Sequence, residues 1–336
     1  MGNDCARRRS HRRSRHWNGV PGKVYNVRMP PKSIFNLHFD IVHGCQLRCV
    51  GCPNSTLLPK VKRIEVEDFN RCLGNIDVDK VHTLRLFNFG EPLLHKNLTG
   101  IMACIPRQRW RASVVEISTN AQHVDWDDFE GMLEQEVLTR LVVSCDGDGS
   151  PEAYERLRPP SKWDRLIEFL ERARALRDRH SPSLQLITRT VVENKEDMAV
   201  WRRILEPRGW TPEFRGWMLL PESVQNMTRR KPEIPSGACF FTAPPEAFTG
   251  HAWNGEVRLL YVDHDGTVVP CCMHPRAGVF GSLRTHRYSE ILAGQARSRF
   301  IEGMEQDRSQ MGVCGGCEVG PVGREGPSFH SVMTGG

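Results

Sequence analysis

The stretch that decides how this chain is read runs from His43 to Pro53, HGCQLRCVGCP. It sets Cys45, Cys49 and Cys52 at C-x3-C-x2-C on one short loop. Three thiolates at that spacing can close around one face of an iron–sulfur cube. A cubane has four irons, so one stays open to a small chelating ligand. Two other readings stand beside this one. Zinc is tetrahedral and needs a fourth protein ligand, for which His43 is at hand. Three buried structural thiols need no metal.

Outward from the loop, apolar periodicity switches between two and 3.6 residues. IFNLHFDIV, residues 34–42, predicts a strand that ends at the cysteines. Further strands are predicted over 82–90 (HTLRLFNFG), 113–120 (SVVEISTN), 139–147 (TRLVVSCDG), 184–192 (LQLITRTVV) and near 213–220. Helical spacing falls between them: over 66–76, 97–105, from Trp126 through Leu133, over 162–178 and over 196–205. Strand-then-helix repeated about six times means parallel β/α units. Cys72 and Cys104 lie on apolar helix faces, and Cys145 alternates away from Ser144, so all three are expected in the core.

In parallel β/α folds, ligands sit at the carboxyl ends of the strands. The cysteine loop follows the first strand. Asn88-Phe89-Gly90-Glu91-Pro92 ends the second. Gly90 permits close backbone approach, and Glu91 can accept a hydrogen bond from an ammonium group. Ser118, Thr119 and Asn120 end the third strand; Ser144 and Asp146 end the fourth. Their hydroxyls and amide can hold ribose hydroxyls or a carboxylate. Polar strand-end capping is the plain alternative for each.

The chain has 336 residues, 39% hydrophobic and 26% charged, ordinary values for a soluble globular protein and enough to bury a core. It holds no run of eighteen apolar residues, which excludes a helical membrane span. Its net charge of +6 is local. Of 46 basic and 40 acidic residues, six arginines and Asp4 fall within 1–16, leaving 40 against 39 in the body. That arm reads as disordered. It could touch phosphates, or could be a tail ahead of a start at Met29. Twelve cysteines, mostly in close groups and without a secretory signal, read as metal ligands in the cytoplasm rather than as a disulfide framework.

After Leu220 the alternation stops. Residues 221–238 are polar and Pro-rich and read as a linker. From Cys239 the composition shifts to Gly, Cys and short apolar runs, with Gly266 and Cys271 in GTVVPCC and Cys314 and Cys317 in CGGC. Four separated thiolates that include a C-x2-C can enclose a metal fully, and on spacing alone zinc competes with a cluster. The expected division is an arm and lead-in over 1–33, a β/α domain over 34–220, the linker, a small module over 239–320 and a frayed tail over 321–336.

The cysteine loop, the Gly90–Glu91 turn and the run SCDGDGSPEAYERLR together resemble the radical S-adenosylmethionine (radical SAM) superfamily, from residue 34 to about 320. The resemblance implies an α/β fold, a partial (β/α)6 barrel. It implies a [4Fe–4S] cluster on Cys45, Cys49 and Cys52 whose open iron binds S-adenosylmethionine. An electron from the cluster then splits the sulfonium, and the 5′-deoxyadenosyl radical takes a substrate hydrogen. By the same resemblance Gly90 and Glu91 match a GGEP motif that binds the methionyl amino group, with Phe89 in place of its first glycine. Ser118 and Asn120 join them as cofactor-binding residues. Ser144 would contact the ribose and Arg158 the carboxylate. One extra residue in the loop leaves Arg156 as an alternative to Arg158.

The last module resembles a truncated SPASM auxiliary-cluster domain. That implies one auxiliary [4Fe–4S] cluster on Cys239, Cys271, Cys314 and Cys317. Cys272 would replace Cys271, return a hydrogen atom to a substrate radical, or do neither. The expected substrate is an amino-acid side chain or amino-acid-derived group, in a peptide. The alternatives are a modified nucleotide, within DNA if the arm binds it, or an antibiotic sugar, and, in another class, a non-catalytic metal-binding protein. A flavodoxin or ferredoxin would supply electrons.

Overall fold

Six parallel strands stand side by side in chain order: β1 (Ser33–Phe39), β2 (Lys80–Arg85), β3 (Arg111–Thr119), β4 (Arg140–Asp146), β5 (Gln185–Val191) and β6 (Thr211–Arg215). The computed structural model describes residues 32–52, 54–55, 60–192, 194–215, 256–271 and 277–315. Crossovers run through α1 (Val66–Gly74), α2 (Leu98–Cys104), α3 (Trp126–Glu134), α4 (Pro151–Leu157), α5 (Trp163–His180) and α6 (Lys195–Leu205). Because the strand order never reverses, right-handed crossovers put every one of these helices on the same face of the sheet. The local sequence starts and stops them. Asp125, Ser150 and Asn194 cap α3, α4 and α6 through their side chains.

One face of the sheet carries the core. Leu84, Leu86, Val115, Ile117, Leu141, Val143 and Cys145 are buried there against the helices. Their alternates, among them Arg85, Glu116, Ser118, Ser144 and Arg189, point to the opposite, inner face. This is the α/β plan with a mostly parallel sheet that the periodicity predicts. Among the described residues the sheet is open at both ends.

Two strand ends differ from expectation. β1 stops at Phe39 rather than 42, because Val42–His43 leaves the sheet and pairs antiparallel with Lys62–Arg63. β2 stops at Arg85 because residues 88–90 are drawn across to Asp40.

The C-terminal segment joins the same sheet. The sequence suggests a small module over 239–320 and does not say which edge of the sheet it joins. Its strand β7 (Glu256–Val262) pairs parallel with β1, and β8 (Thr267–Val269) and β9 (Gly281–Ser282) continue the same sheet antiparallel. Asn75 Nδ2 donates to the Leu283 carbonyl at 2.7 Å, and Ser289 N–H to Asp77 at 3.0 Å, where α7 (Tyr288–Leu292) begins. α8 (Gln295–Asp307) follows. Cys72, Cys104 and Cys145 are all buried, as core residues should be. The arm up to residue 31, Met29 with it, lies outside the described residues. So do the 221–238 linker, the tail, Cys239, Cys272 and Cys317.

Candidate active site

The cysteine loop is pinned from beneath by α4 and the turn after it. Val50 N–H donates to the Leu157 carbonyl at 2.8 Å, and Arg48 N–H to that of Pro159 at 2.6 Å. Cys45, Cys49 and Cys52 are all partly exposed and none is in a disulfide. Two donors already aim at sulfur: Leu47 N–H and Asn120 Nδ2 each reach Cys45 Sγ at 3.3 Å. Burial, then the Glu91 carboxylate, pushes the Cys45 thiol up to about 11; burial pushes Cys49 up to about 12 and raises Cys52 as well. The loop thus holds neutral thiols until a metal draws off their protons.

Asp40 organises the facing turn. It sits at the end of β1, fully buried, and accepts backbone N–H groups from Asn88 (3.2 Å), Phe89 (3.1 Å) and Gly90 (3.1 Å). Burial and the nearby Asp263 raise its pKa to about 7 against an ordinary 3.8. The turn is drawn in so closely that a Cβ on Gly90 would lie 1.4 Å from the Val42 carbonyl oxygen. Only glycine fits there.

Glu91 ties this turn to β3. Its carboxylate accepts from Leu93 N–H (3.1 Å), Thr119 Oγ1 (2.6 Å) and Asn120 N–H (2.7 Å), and its own N–H donates to the Gly44 carbonyl. Burial raises its pKa, opposed by those hydrogen bonds. Three of about four acceptor positions are therefore engaged by the chain. Asn120 completes the bridge: Gln46 Nε2 donates to its Oδ1 at 3.1 Å while its Nδ2 reaches Cys45. Glu91, Asn120, Gln46 and Cys45 thus form one hydrogen-bonded cluster, with Gly90 adjoining it through the turn. Ser118 and Ser144 lie on the inner face below it, at the ends of β3 and β4.

Arg158 is buried at the C-cap of α4 and donates to Asp146, while Arg156 is exposed. Burial disfavours its charge, but Cys49 and Asp146 more than compensate and hold its pKa well above the ordinary value. Its Nε is buried with no hydrogen-bond partner among the described residues. Of the two arginines at the end of α4, the one that interacts with Cys49 is Arg158.

His43, weighed as a zinc ligand, engages the C-terminal segment. Its Nδ1 lies 3.4 Å from Asp263 Oδ1, and its ring packs 4.8 Å from that of His264, whose Nδ1 is 3.0 Å from the same oxygen. Burial raises the Asp263 pKa, yet the hydrogen bonds from His264 and His43 hold it below the ordinary value. Asp40, Gln46, Asp263 and His264 are residues that sequence reasoning missed. Only Asp40 left a local signal, an acid interrupting an apolar run. Of the auxiliary set, Cys271 and Cys314 are partly exposed, and Cys239, Cys272 and Cys317 lie outside the described residues.

The donor set fits an iron–sulfur cluster with a carboxylate-bearing ligand. It offers three cysteines on one loop, two N–H donors at a sulfur and an arginine with a buried unpaired Nε. Comparison with known proteins agrees. Residues 40–200 match the model of the radical SAM superfamily, and residues 254–318 match SPASM, an iron–sulfur cluster-binding domain. GTP 3′,8-cyclases of Brucella ovis and of Brucella melitensis biotype 2 are 27% identical to this chain over 143 residues. The match covers 42% of this chain and only 40% of those relatives. In structure, histidine-tagged anSMEcpe with bound AdoMet aligns with a TM-score of 0.56 and 13% identity, over 89% of this chain and 94% of that one. Native anSMEcpe with bound AdoMet and Cp18Cys peptide aligns at 0.55 and 12%, over 89% and 94%. At such identity the likeness is one of fold.

Proposed function

From a chain that belongs to the radical SAM superfamily, we infer an enzyme that abstracts a hydrogen atom from an amino-acid side chain or amino-acid-derived group, in a peptide. The radical SAM domain binds a [4Fe–4S] cluster with S-adenosylmethionine, and the SPASM domain binds auxiliary iron–sulfur clusters. The observation that carries the reading is the connected cluster at the end of the sheet. Cysteine loop, Gly90–Glu91 turn and Asn120 are joined there by hydrogen bonds rather than merely adjacent.

When bound, the cluster supplies the electron that cleaves S-adenosylmethionine to a 5′-deoxyadenosyl radical. The chain's own part is to hold and orient. Cys45, Cys49 and Cys52 are assigned to the cluster, and Leu47 N–H and Asn120 Nδ2 stabilise charge on the Cys45 sulfur. Glu91 uses its remaining acceptor capacity for an ammonium group, and Asp40 holds the turn that presents it. Arg158 offers its unpaired Nε to a carboxylate, and Ser118 and Ser144 offer hydroxyls to the ribose. Cys239, Cys271, Cys314 and Cys317 are assigned to the auxiliary cluster. Cys272 remains the alternative to Cys271 or a hydrogen donor.

The peptide reading is supported by the shared fold with anSMEcpe, whose structure carries AdoMet with a peptide. A nucleotide-derived substrate is the second reading, favoured by the partial match to GTP 3′,8-cyclases. A flavodoxin or ferredoxin is the proposed electron donor. The basic arm is the proposed contact for nucleic acid under the second reading alone. No helix among the described residues is long and apolar enough to cross a membrane.

The test is anaerobic reconstitution with iron and sulfide, then incubation with S-adenosylmethionine and dithionite. The expected products are 5′-deoxyadenosine and methionine. Deuterium from a side-chain-deuterated peptide library should enter the 5′-deoxyadenosine. Absence of 5′-deoxyadenosine overturns the radical reading. Deuterium transfer from labelled nucleotides but from no peptide replaces the first substrate class with the second.

A further inference from the structure

Below the cysteine end, the inner face of the sheet carries a row of charge that the activity above does not use. Glu116, on β3, has no exposed side-chain surface. Its Oε1 lies 2.9 Å from Arg189 Nη2 and 3.5 Å from Arg85 Nε, and its Oε2 lies 3.2 Å from Arg140 Nη1. Glu213 on β6 accepts from Arg215 at 3.1 Å and lies 3.5 Å from Arg189. Four guanidiniums thus face two carboxylates. The arginine side chains keep between 24 and 29% of their surface exposed.

His38 joins the row through Arg85 Nη1, 3.1 Å from its Nε2. Burial and the Arg85 charge lower its pKa to about 3, so it adds no charge at neutral pH. Among the described residues the row is therefore two positive charges in excess. Each guanidinium has a carboxylate within 3.5 Å, but two carboxylates serve four guanidiniums, more positive charge than ion pairing alone calls for. The excess sits on arginine, whose planar fork suits two-oxygen anions. It also sits on the face toward which the cysteine loop, Ser118 and Ser144 look. Glu116 is four residues, about 13 Å of strand, below Asn120.

We propose that Arg85, Arg189 and Arg215 bind an oxyanion, a carboxylate or phosphate, carried by the substrate, in competition with Glu116 on Arg85 and Arg189 and with Glu213 on Arg189 and Arg215. This rests on the inner face being the substrate side of the radical reaction. It adds that the substrate enters with its anion pointing down the sheet and its reacting carbon toward the cysteines.

The test uses the reconstituted holoenzyme with S-adenosylmethionine, titrated with glutarate and separately with inorganic phosphate, at ionic strength matched with sodium chloride. Binding is read by calorimetry and by the rise in Tm. Saturable binding of one probe is expected, glutarate for a carboxylate substrate and phosphate for a phosphorylated one. Arg189→Gln should weaken it about tenfold, with Arg189→Lys in between, because the fork and the charge are lost in separate steps. Glu116→Gln should tighten it severalfold by releasing a competing carboxylate, and this arm decides the matter if Arg189→Gln fails to fold. No saturable binding of either probe beyond the chloride control overturns the proposal. So does affinity unchanged in Glu116→Gln. Formation of 5′-deoxyadenosine by the same wild-type preparation is scored separately, so a failed radical reading is not mistaken for a failed anion site.

Discussion

Val115, Glu116 and Ile117 are consecutive on β3 and almost equally hidden, at 3, 0 and 0% exposure, yet the two faces they serve use opposite physics. Val115 and Ile117 join the helices in an apolar core, where stability follows the area removed from water. Glu116 is buried among three arginines, where stability would be served as well by apolar residues. Burial alone therefore says little about what a residue is for. In this sheet the parity of a position along its strand separates scaffold from chemistry.

The largest expected effect lies at the inner end of the comparison. Cys49→Ala should leave far-UV circular dichroism near wild type but reduce 5′-deoxyadenosine formation below detection. Retained cleavage would remove the cysteine loop from the chemistry. Ile117→Ala and Ser118→Ala, one residue apart, sharpen the contrast. The first should cost about 2–5 kcal/mol of stability by opening a cavity. The second should stay within about 0.5 kcal/mol while raising the KM for S-adenosylmethionine. Similar Tm losses for both would break the distinction between faces.

Asp40 offers a pH-dependent test. Its pKa rises from 3.8 to about 7 in the folded chain, so the folded state binds its proton more tightly than the unfolded state does. The stability it contributes is full below about pH 4 and is lost as pH rises through about 7. Asp40→Asn should remove that slope, so the Tm of the variant relative to wild type should climb between about pH 5 and about pH 7.5. A constant difference across that window would mean that Asp40 does not titrate there. The smallest effect tests an exception on the helix side. Thr190 is buried and its hydroxyl has no hydrogen-bond partner among the described residues. Thr190→Val should stabilise the protein by about 1 kcal/mol, read as a small rise in Tm.

The six parallel strands and five of their six helices were legible because both signals are local, period-two runs and 3.6-residue stripes; α4, at seven residues, is not among them. The cysteine loop was legible for the same reason. Asp40 was not, because its meaning depends on three N–H groups some fifty residues onward. Arg85 in TLRLF and Arg189 in ITRTV were visible as lone charges in apolar strands. That they converge on Glu116 depends on strand register and tilt, which no short window carries. The docking of β7 on β1 was hidden too, since composition marks a change of module but not which edge it joins.

That pairing has a consequence for how the chain is made. β1 is among the first described segments to be synthesised, but its neighbour on one side, β7, comes after all six β/α units. The contact between Asp77 and Ser289 that secures the C-terminal segment spans 212 residues. Until β7 arrives, the growing chain carries an unpaired strand edge, a template for association with other chains. Closing such a long loop is also slow relative to local helix formation. A fragment ending after β6 would keep that edge permanently. The C-terminal segment is thus, besides a cysteine-bearing module, the cover of the long β1 edge, which it replaces by the two-residue edge strand β9.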